Sequence, residues 1–454
     1  MGSVIIHYIL NLGAAIFLPV VMIIIGLIMG MKTKKAILAG LTLGVAFTGM
    51  NVVLSFMLNS ISPAATAFVK NTGIQLNAID VGWSPLSAIA WAWPYALLLF
   101  PIQIIINIVM LVLNWTNCLN VDLWNVWTKI LTAVIVSSIT NSIVLGLVVA
   151  AIQVVFELKS ADVTQKQMYE LTKIPGIACP HALMLQGIIL APLNRLLDFI
   201  PGLKNLKVDA RTMKEKIGIF GENSVMGFIV GGLIAAFANY DVKGILNTAM
   251  QVSTSLVLFP MVAKLFMQAL SPIADAAGDF MKKRFKGREF YIGLDWPVLA
   301  GIPELWVAEI VLVPFELVIA LIMAKMGVNN VLPLGGIVNI CFGAVAVVIT
   351  GGNLLRMIIL GIIVTPVYLG VSSSFAPLIT NLARSVHAAN IPQGQLITWF
   401  GLESPEFRWI MAHGANIING DIVGFIILIG YLALAVWYFK FMSAKEKALA
   451  EKQN

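Results

Sequence analysis

The 454-residue chain is poor in charge, with 11% of its residues charged against 59% apolar. A soluble globular domain carries roughly 25% charged residues, so this chain has too little polar surface to cover itself in water. Its three cysteines, Cys118, Cys179 and Cys341, are scattered and fit neither a disulfide framework nor a metal-ligand spacing. The alternating segments of a membrane barrel are missing. The glycine-rich pieces GGLIAA, LGGIVN and ITGGN are not followed by a Walker Lys-Ser/Thr, so they read as close helix packing and not as phosphate cradles. No cleavable signal peptide stands at the start, and the first apolar run is long enough to span. The net charge of +7 reports orientation in a membrane and gives no reason to expect nucleic acid.

What the chain does have is a series of apolar runs, each near the length that crosses a hydrocarbon core of about 30 Å. These define an all-α polytopic membrane protein. Spans are expected over 8–30 and 36–58, with a polar stretch reaching Gly82. Residues 84–114 would measure about 46 Å as one helix. Pro94 and Pro101 interrupt them, so a short re-entrant or surface piece followed by a full helix is expected. Shorter apolar runs at 121–138 and 142–158 precede a charged loop over 159–173. The segment 174–202 contains Pro175, Pro180, Pro192 and Pro201 and reads as a hairpin dipping into the membrane. A last span is expected at 421–442, followed by a solvated tail.

The chain also repeats itself. ISPAATAFVKNTGIQLNAIDVGWSP (Ile61 to Pro85) returns as LSPIADAAGDFMKKRFKGREFYIGLDWP (Leu270 to Pro297), and several other matches follow in order. An odd number of spans per half, five by this reading, turns the second half upside down. The cation-rich spacer (Lys282, Lys283, Arg284, Lys286, Arg288) then lies in the cytoplasm, and its counterpart with Lys70 alone lies outside. The basic loop 203–216 and the C-terminus fall inside and the N-terminus outside, giving about eleven spans plus re-entrant hairpins. Inverted repeats of this kind place a substrate where broken helices meet near midplane.

The motifs REFYIGLD, VDLWNVW, NYDVKGIL, IDVGW, IACPH and LSPIAD, spread over about residues 7–440, resemble the galactitol permease family. These are membrane IIC components of the bacterial phosphoenolpyruvate-dependent sugar phosphotransferase system. The resemblance implies a homodimer with a V-shaped scaffold and an elevator-type core, embedded in membrane lipid. The first repeat would cover 1–217 (scaffold 8–58, core 59–202) and the second 218–420 (scaffold 218–268, core 269–420). Residues 421–454 would form the last helix and tail. It also implies that phosphate arrives from separate cytoplasmic IIA and IIB proteins through a IIB phosphocysteine, so whether the chain counts as an enzyme stays open. The segments Ala300 to Glu309 and Gly394 to Trp409 depart from the family pattern in regions expected to touch substrate.

A polyol needs paired hydrogen-bond donors and acceptors and an apolar wall, and no metal or cofactor. Glu304 follows Pro303 at a helix break and could bind a hydroxyl or accept its proton; it could equally cap a helix. His181 follows Pro180 in the re-entrant segment and could donate to one hydroxyl and accept from another. Trp83 could stack on the sugar, with Ser84 beside it, although Trp also serves the interfacial belt. Asn125 and Asn141 suit hydroxyls, and helix–helix hydrogen bonds as well. Asp80 and Asp295 read as caps or hairpin anchors. Glu309 and Glu316 are weaker site candidates, as are His387 and His413. The alternative function is an ion-coupled secondary transporter of a sugar or polyol with the same architecture, using Glu304 and Glu309 as coupling groups. Dependence of uptake on phosphoenolpyruvate, or on a proton gradient, separates the two.

Overall fold

Backbone at membrane depth has no water to bond with, so it must satisfy its own N–H and C=O groups. The computed structural model describes residues 14–453 apart from 75, 123, 205, 210–218, 220–221, 285–289, 334–337, 390 and 392. Within them the chain solves this problem as helix almost throughout. α1 (Ala14–Ile28), α2 (Thr33–Asn71), α3 (Trp83–Ala92), α4 (Leu99–Val112), α5 (Val126–Thr140), α6 (Ile143–Thr172) and α7 (Gly187–Leu196) come first. α8 (Asn223–Phe237), α9 (Val242–Arg284), α10 (Pro303–Lys325), α11 (Ile340–Thr350), α12 (Leu354–Ser385), α13 (Pro405–Ala415) and α14 (Ile422–Gln453) follow. Among the described residues seven helices are long and apolar enough to cross a membrane, or eight if the bent pair at α3 and α4 is one span.

That pair turns by 92° at Trp93 to Tyr95, as the prolines in 84–114 suggest. Trp93 precedes Pro94 and is extended (ψ 129), since a residue before proline is pushed out of the helical region. Three other boundaries differ from the sequence reading. α2 does not stop at 58 but runs through Pro63 to Asn71, because Ile61, Ala64, Ala65 and Val69 continue its buried face. The expected charged loop at 159–173 is helix as far as Thr172. Its polar residues have work inside: Ser160, Thr164, Gln165 and Gln167 are buried, and Asp162 Oδ1 accepts from Thr116 Oγ1 (3.0 Å) and Asn117 N (2.9 Å). The expected solvated tail continues α14, where Lys445 Nζ donates to Gln167 Oε1 at 2.9 Å. Of the cation-rich spacer, 282–284 end α9 while Lys286 and Arg288 lie outside the described residues, as does most of the 203–216 loop.

α1, α2, α8 and α9 pack on one another. Phe47 of α2 meets Phe266 of α9 edge to face at 5.0 Å. The other helices form a second group, joined to the first where Phe259 of α9 stacks on Trp306 of α10 at 3.5 Å.

Where the helices break, six short strands take over the backbone pairing: β1 (Ala78–Asp80), β2 (Cys118–Asn120), β3 (Ile177–Ala178), β4 (Tyr291–Gly293), β5 (Val331–Leu332) and β6 (Leu396–Thr398). They form two parallel three-stranded sheets, ordered β5-β1-β6 and β2-β4-β3. Ile79 pairs with Leu332 and Ile397, and Ile292 pairs with Leu119 and Ile177. Each central strand thus comes from one part of the chain and its neighbours from the other. The second sheet is so tight that a Cβ at Gly293 would lie 2.5 Å from Pro180 Cγ and 2.9 Å from Asn120 Cα.

Candidate functional site

The chain leaving each sheet carries chemistry. After β3, Pro180 and His181 lead into a 3-10 turn over Ala182–Gln186. His181 caps that turn: its Nδ1 accepts from Leu183 N at 3.3 Å. In a neutral ring this puts the proton on Nε2, which faces Asp295 Oδ1 at 3.4 Å and Glu403 Oε1 at 3.9 Å. Asp295 follows β4 and caps its own 3-10 turn (Trp296–Leu299) by accepting from Trp296 N at 2.7 Å. The sequence reading of Asp295 as a cap therefore holds, and the same carboxylate also faces His181.

Glu403 follows β6 and is held in an unusual backbone. Leu402 and Glu403 have φ of 38° and 59°, and Ser404 N donates to Leu402 O at 2.8 Å. Such left-handed non-glycine backbone costs about 1–3 kcal/mol and persists only where its surroundings fix it. Here they do. Arg408 Nη2 donates to Glu403 Oε2 at 3.2 Å and its Nε to Leu402 O at 2.8 Å. Its Nη1 reaches Thr128 O at 2.8 Å and the Thr132 hydroxyl. Gln186 Nε2 donates to the Glu403 carbonyl and to Cys341 O, while Tyr368 OH donates to Gln186 Oε1. Ser404 Oγ donates to Ala182 O at 2.5 Å, so the turns after β3 and β6 clasp each other.

Asn125, at the head of α5, is the hub of the neighbouring layer. Its Nδ2 donates to Asp122 Oδ2 at 2.6 Å, and its Oδ1 accepts from Trp127 Nε1 at 3.2 Å. One turn on, Lys129 lies 2.6 Å from Glu157 Oε2, both 1% exposed. Asp122 and Asp295 look out into a narrow cleft whose other wall is Met22, Leu43, Phe47, Phe266 and Leu270 of α1, α2 and α9. The cleft is lined almost wholly by apolar side chains, with the two carboxyls at its edge.

Of the residues singled out from sequence, His181 and Asn125 belong to this cluster. Trp83 adjoins it: its ring lies 6.1 Å from Trp127, which lies 6.3 Å from Trp399. Ser84 is the next residue, exposed in the first turn of α3. Asn141 is the left-handed C-cap of α5 (φ 55°) and Asn125 its N-cap. Fifteen helical residues separate the two amides, about 22 Å at 1.5 Å each, so one small ligand does not bridge them. Glu304 stands half-buried in the first turn of α10 and does not line the cleft. Glu309 and Glu316 are buried on α10. Asp80 accepts from Gly82 N at 3.1 Å, as an anchor would. His413 Nδ1 lies 2.7 Å from Asp421 Oδ2; Gly424 N and that ring together hold the half-buried Asp421 carboxyl below the usual range.

Asp122, Lys129, Glu157, Glu403 and Arg408 were not picked out from sequence. Lys129 carried a readable signal, a lone cation in the apolar run VWTKILTAV. Among the described residues no group of three or more His, Cys, Asp or Glu is placed to hold a metal.

A multi-helix bundle with strand-paired breaks and a polar cluster between them defines a membrane transport protein. The chain matches the family of sugar-specific permease components of the phosphotransferase system over residues 8–394 and belongs to it. It is 34% identical over 430 residues to the galactitol-specific EIIC component of the phosphotransferase system from Escherichia coli strain K12, covering 94% of each chain. The protein of the same description from strain O157:H7 matches to the same extent. A further K12 protein, described as a permease IIC component with no sugar given, is 32% identical over 438 residues, or 95% of this chain and 98% of that one. Membership of this family favours the phosphotransferase permease over the ion-coupled alternative.

Proposed function

We propose that the chain is the IIC permease for a polyol, galactitol first, and that it presents one hydroxyl for phosphorylation by a cytoplasmic IIB phosphocysteine. The observation that carries this reading is the meeting of His181, Asp295 and Glu403 beside an apolar cleft that Asp122 and Asp295 border. A neutral polyol offers donors to the carboxylates, an acceptor to the Nε2–H of His181, and C–H edges to the apolar wall. A hydroxyl beside His181 and Asp295 has a base within reach when phosphate transfers. Trp83 and Ser84 belong to the approach to this site. Glu304 and Asn141 act from outside the cleft, through the helix ends they occupy.

The same reading takes α1, α2, α8 and α9 as the scaffold of a homodimer, against which the rest moves as an elevator. The exchange of strands between the two sheets supports a pair of inverted repeats, with the N-terminus outside and the C-terminus in the cytoplasm. The primary test is galactitol accumulation in right-side-out vesicles loaded with phosphoenolpyruvate and the soluble phosphotransferases. Accumulation that follows a proton gradient and ignores phosphoenolpyruvate would defeat the proposal. Cysteine tagging tests the topology: labels at Lys70 and Lys283 on one face of the bilayer would remove the inverted arrangement.

A further inference from the structure

Three helices turn from apolar to polar at one level. The apolar run of α4 ends at Leu113. The first charge of α6 that is not buried is Lys159, and the apolar run of α14, interrupted only by Lys440, ends at Met442. Residues just past these points, among them Trp115, Lys159, Asp162, Ser443, Glu446 and Lys447, line one cavity of about 220 Å³. It shares no lining residue with the cleft described above. It is smaller than the roughly 300–1,000 Å³ of a pocket for a drug-sized ligand, and it suits a compact polar group. Its charges balance, Lys159 and Lys447 against Asp162 and Glu446. Lys159 Nζ donates to Trp115 O at 2.8 Å and stands 3.6 Å from Asp162 Oδ2, with its side chain 40% exposed. An ammonium has three donors, so Lys159 keeps capacity for an anion, and Lys447 is exposed. Asp162 accepts from Thr116 and Asn117 at Oδ1, which leaves Oδ2 to cations. Trp115 is exposed, as tryptophans are where headgroups meet hydrocarbon. The exposed flanks of α4 (Ile105, Ile108, Val112) and α14 (Val436) that lead to the cavity are apolar.

We propose that this cavity binds the headgroup of a phospholipid that carries a primary ammonium beside its phosphodiester, the chemistry of phosphatidylethanolamine. Lys159, Lys447 and the Ser443 hydroxyl hold the phosphate, since ammonium groups and hydroxyls are its usual donors. Asp162 takes the lipid ammonium, and the acyl chains run along the apolar flanks of α4 and α14. A headgroup with phosphate alone satisfies the lysines and brings nothing to the carboxylate. A quaternary amine brings charge but no N–H to donate. Basic pockets between spans are a common form of headgroup site, and the balanced charge of this one favours a zwitterion over an anionic lipid. Asp162 also holds Asn117 N, one residue before β2, so a lipid seated here rests against the sheet that carries the charged cluster. On the orientation proposed above it belongs to the cytoplasmic leaflet. Its binding does not depend on which sugar is carried.

The test is native mass spectrometry of the purified full-length protein in detergent, titrated in turn with phosphatidylethanolamine, phosphatidylcholine and phosphatidylglycerol of identical acyl chains. The wild type is expected to hold one phosphatidylethanolamine at least about tenfold more tightly than either of the other lipids. Lys447→Glu and Asp162→Asn are each expected to remove most of that preference. Asp162→Asn keeps a side-chain oxygen for Asn117 N, and Lys447 is exposed, so both variants retain the packing around the cavity. Lys447→Arg keeps the charge and is expected to keep the preference, which separates charge from folding. Equal retention of the three lipids by the wild type, a preference for phosphatidylglycerol, or a preference for phosphatidylethanolamine left unchanged in either Lys447→Glu or Asp162→Asn overturns the proposal. Displacement of the bound lipid by an equal concentration of soluble glycerophosphoethanolamine overturns it too, because the ligand then comes from water and not from the bilayer.

Discussion

The two small sheets share a plan and differ in chemistry. Around β5-β1-β6 the buried cations and the histidine are missing among the described residues: Asp80 of β1 and Glu316 of α10 are buried carboxyls, and the remaining buried polar groups are neutral and closely paired. Asn329 bonds Ala320 O, Val331 and Ser373; Thr398 Oγ1 donates to Ser372 O at 3.0 Å; Thr380 Oγ1 accepts from Ile397 N at 2.8 Å. Around β2-β4-β3 stand Asp122, Lys129, Glu157, His181 and Asp295, with Glu403 and Arg408 brought in from the end of β6. Burying that many ionisable groups is costly, so a purely structural role would be met more cheaply by the hydroxyls and amides of the first sheet. On the reading proposed above, a phosphate donor working from one side of the membrane has use for only one site that joins carboxylates, cations and a histidine.

Substitutions on the two sides sharpen or break this contrast. The largest effect is expected for His181→Ala or Asp295→Asn, which should lower phosphorylation-coupled uptake about 100-fold or more, the scale of a lost acid–base group. Ser372→Ala, beside the β5-β1-β6 sheet, should cost about 1 kcal/mol of stability and change uptake little. Comparable uptake losses on both sides would erase the distinction. Next comes Lys129→Met, which strands Glu157 in the interior and should cost about 3–5 kcal/mol in detergent melting, with Lys129→Met/Glu157→Met recovering most of it. Full recovery of melting without recovery of uptake would show that the pair serves function beyond stability. The smallest change is expected for Glu304→Gln, which should weaken uptake by less than about tenfold, or 1.4 kcal/mol. A loss as deep as that of Asp295→Asn would move Glu304 into the site.

Some of this was open to reading from residue order alone. Prolines at 94 and 180 marked helix breaks because proline lacks the N–H a helix needs, and His181 was found beside one of them; Asn125 stood out as a neutral hydrogen-bonder in an apolar run and proved to be a helix N-cap. The extents of α2, α6 and α14 were not readable. Their polar turns look like loops until it is known that Asp162 bonds the turn at Thr116 and that Lys445 reaches Gln167. The segment Gly394 to Trp409 was marked as expected to touch substrate, but nothing local announces that its Glu403 will take φ of 59° and face a histidine more than 200 residues away in the chain.

Residue order by itself determined that this is a helical membrane protein with broken spans, because hydrocarbon admits long apolar segments and penalises backbone left unpaired. It also determined the family, through motifs spread along the whole chain. Only the tertiary structure decided which charged groups meet. The cluster closes through parallel strand pairing and the clasp of two distant turns, and such contacts depend on how the ends of separate segments are brought together, which local preference does not encode.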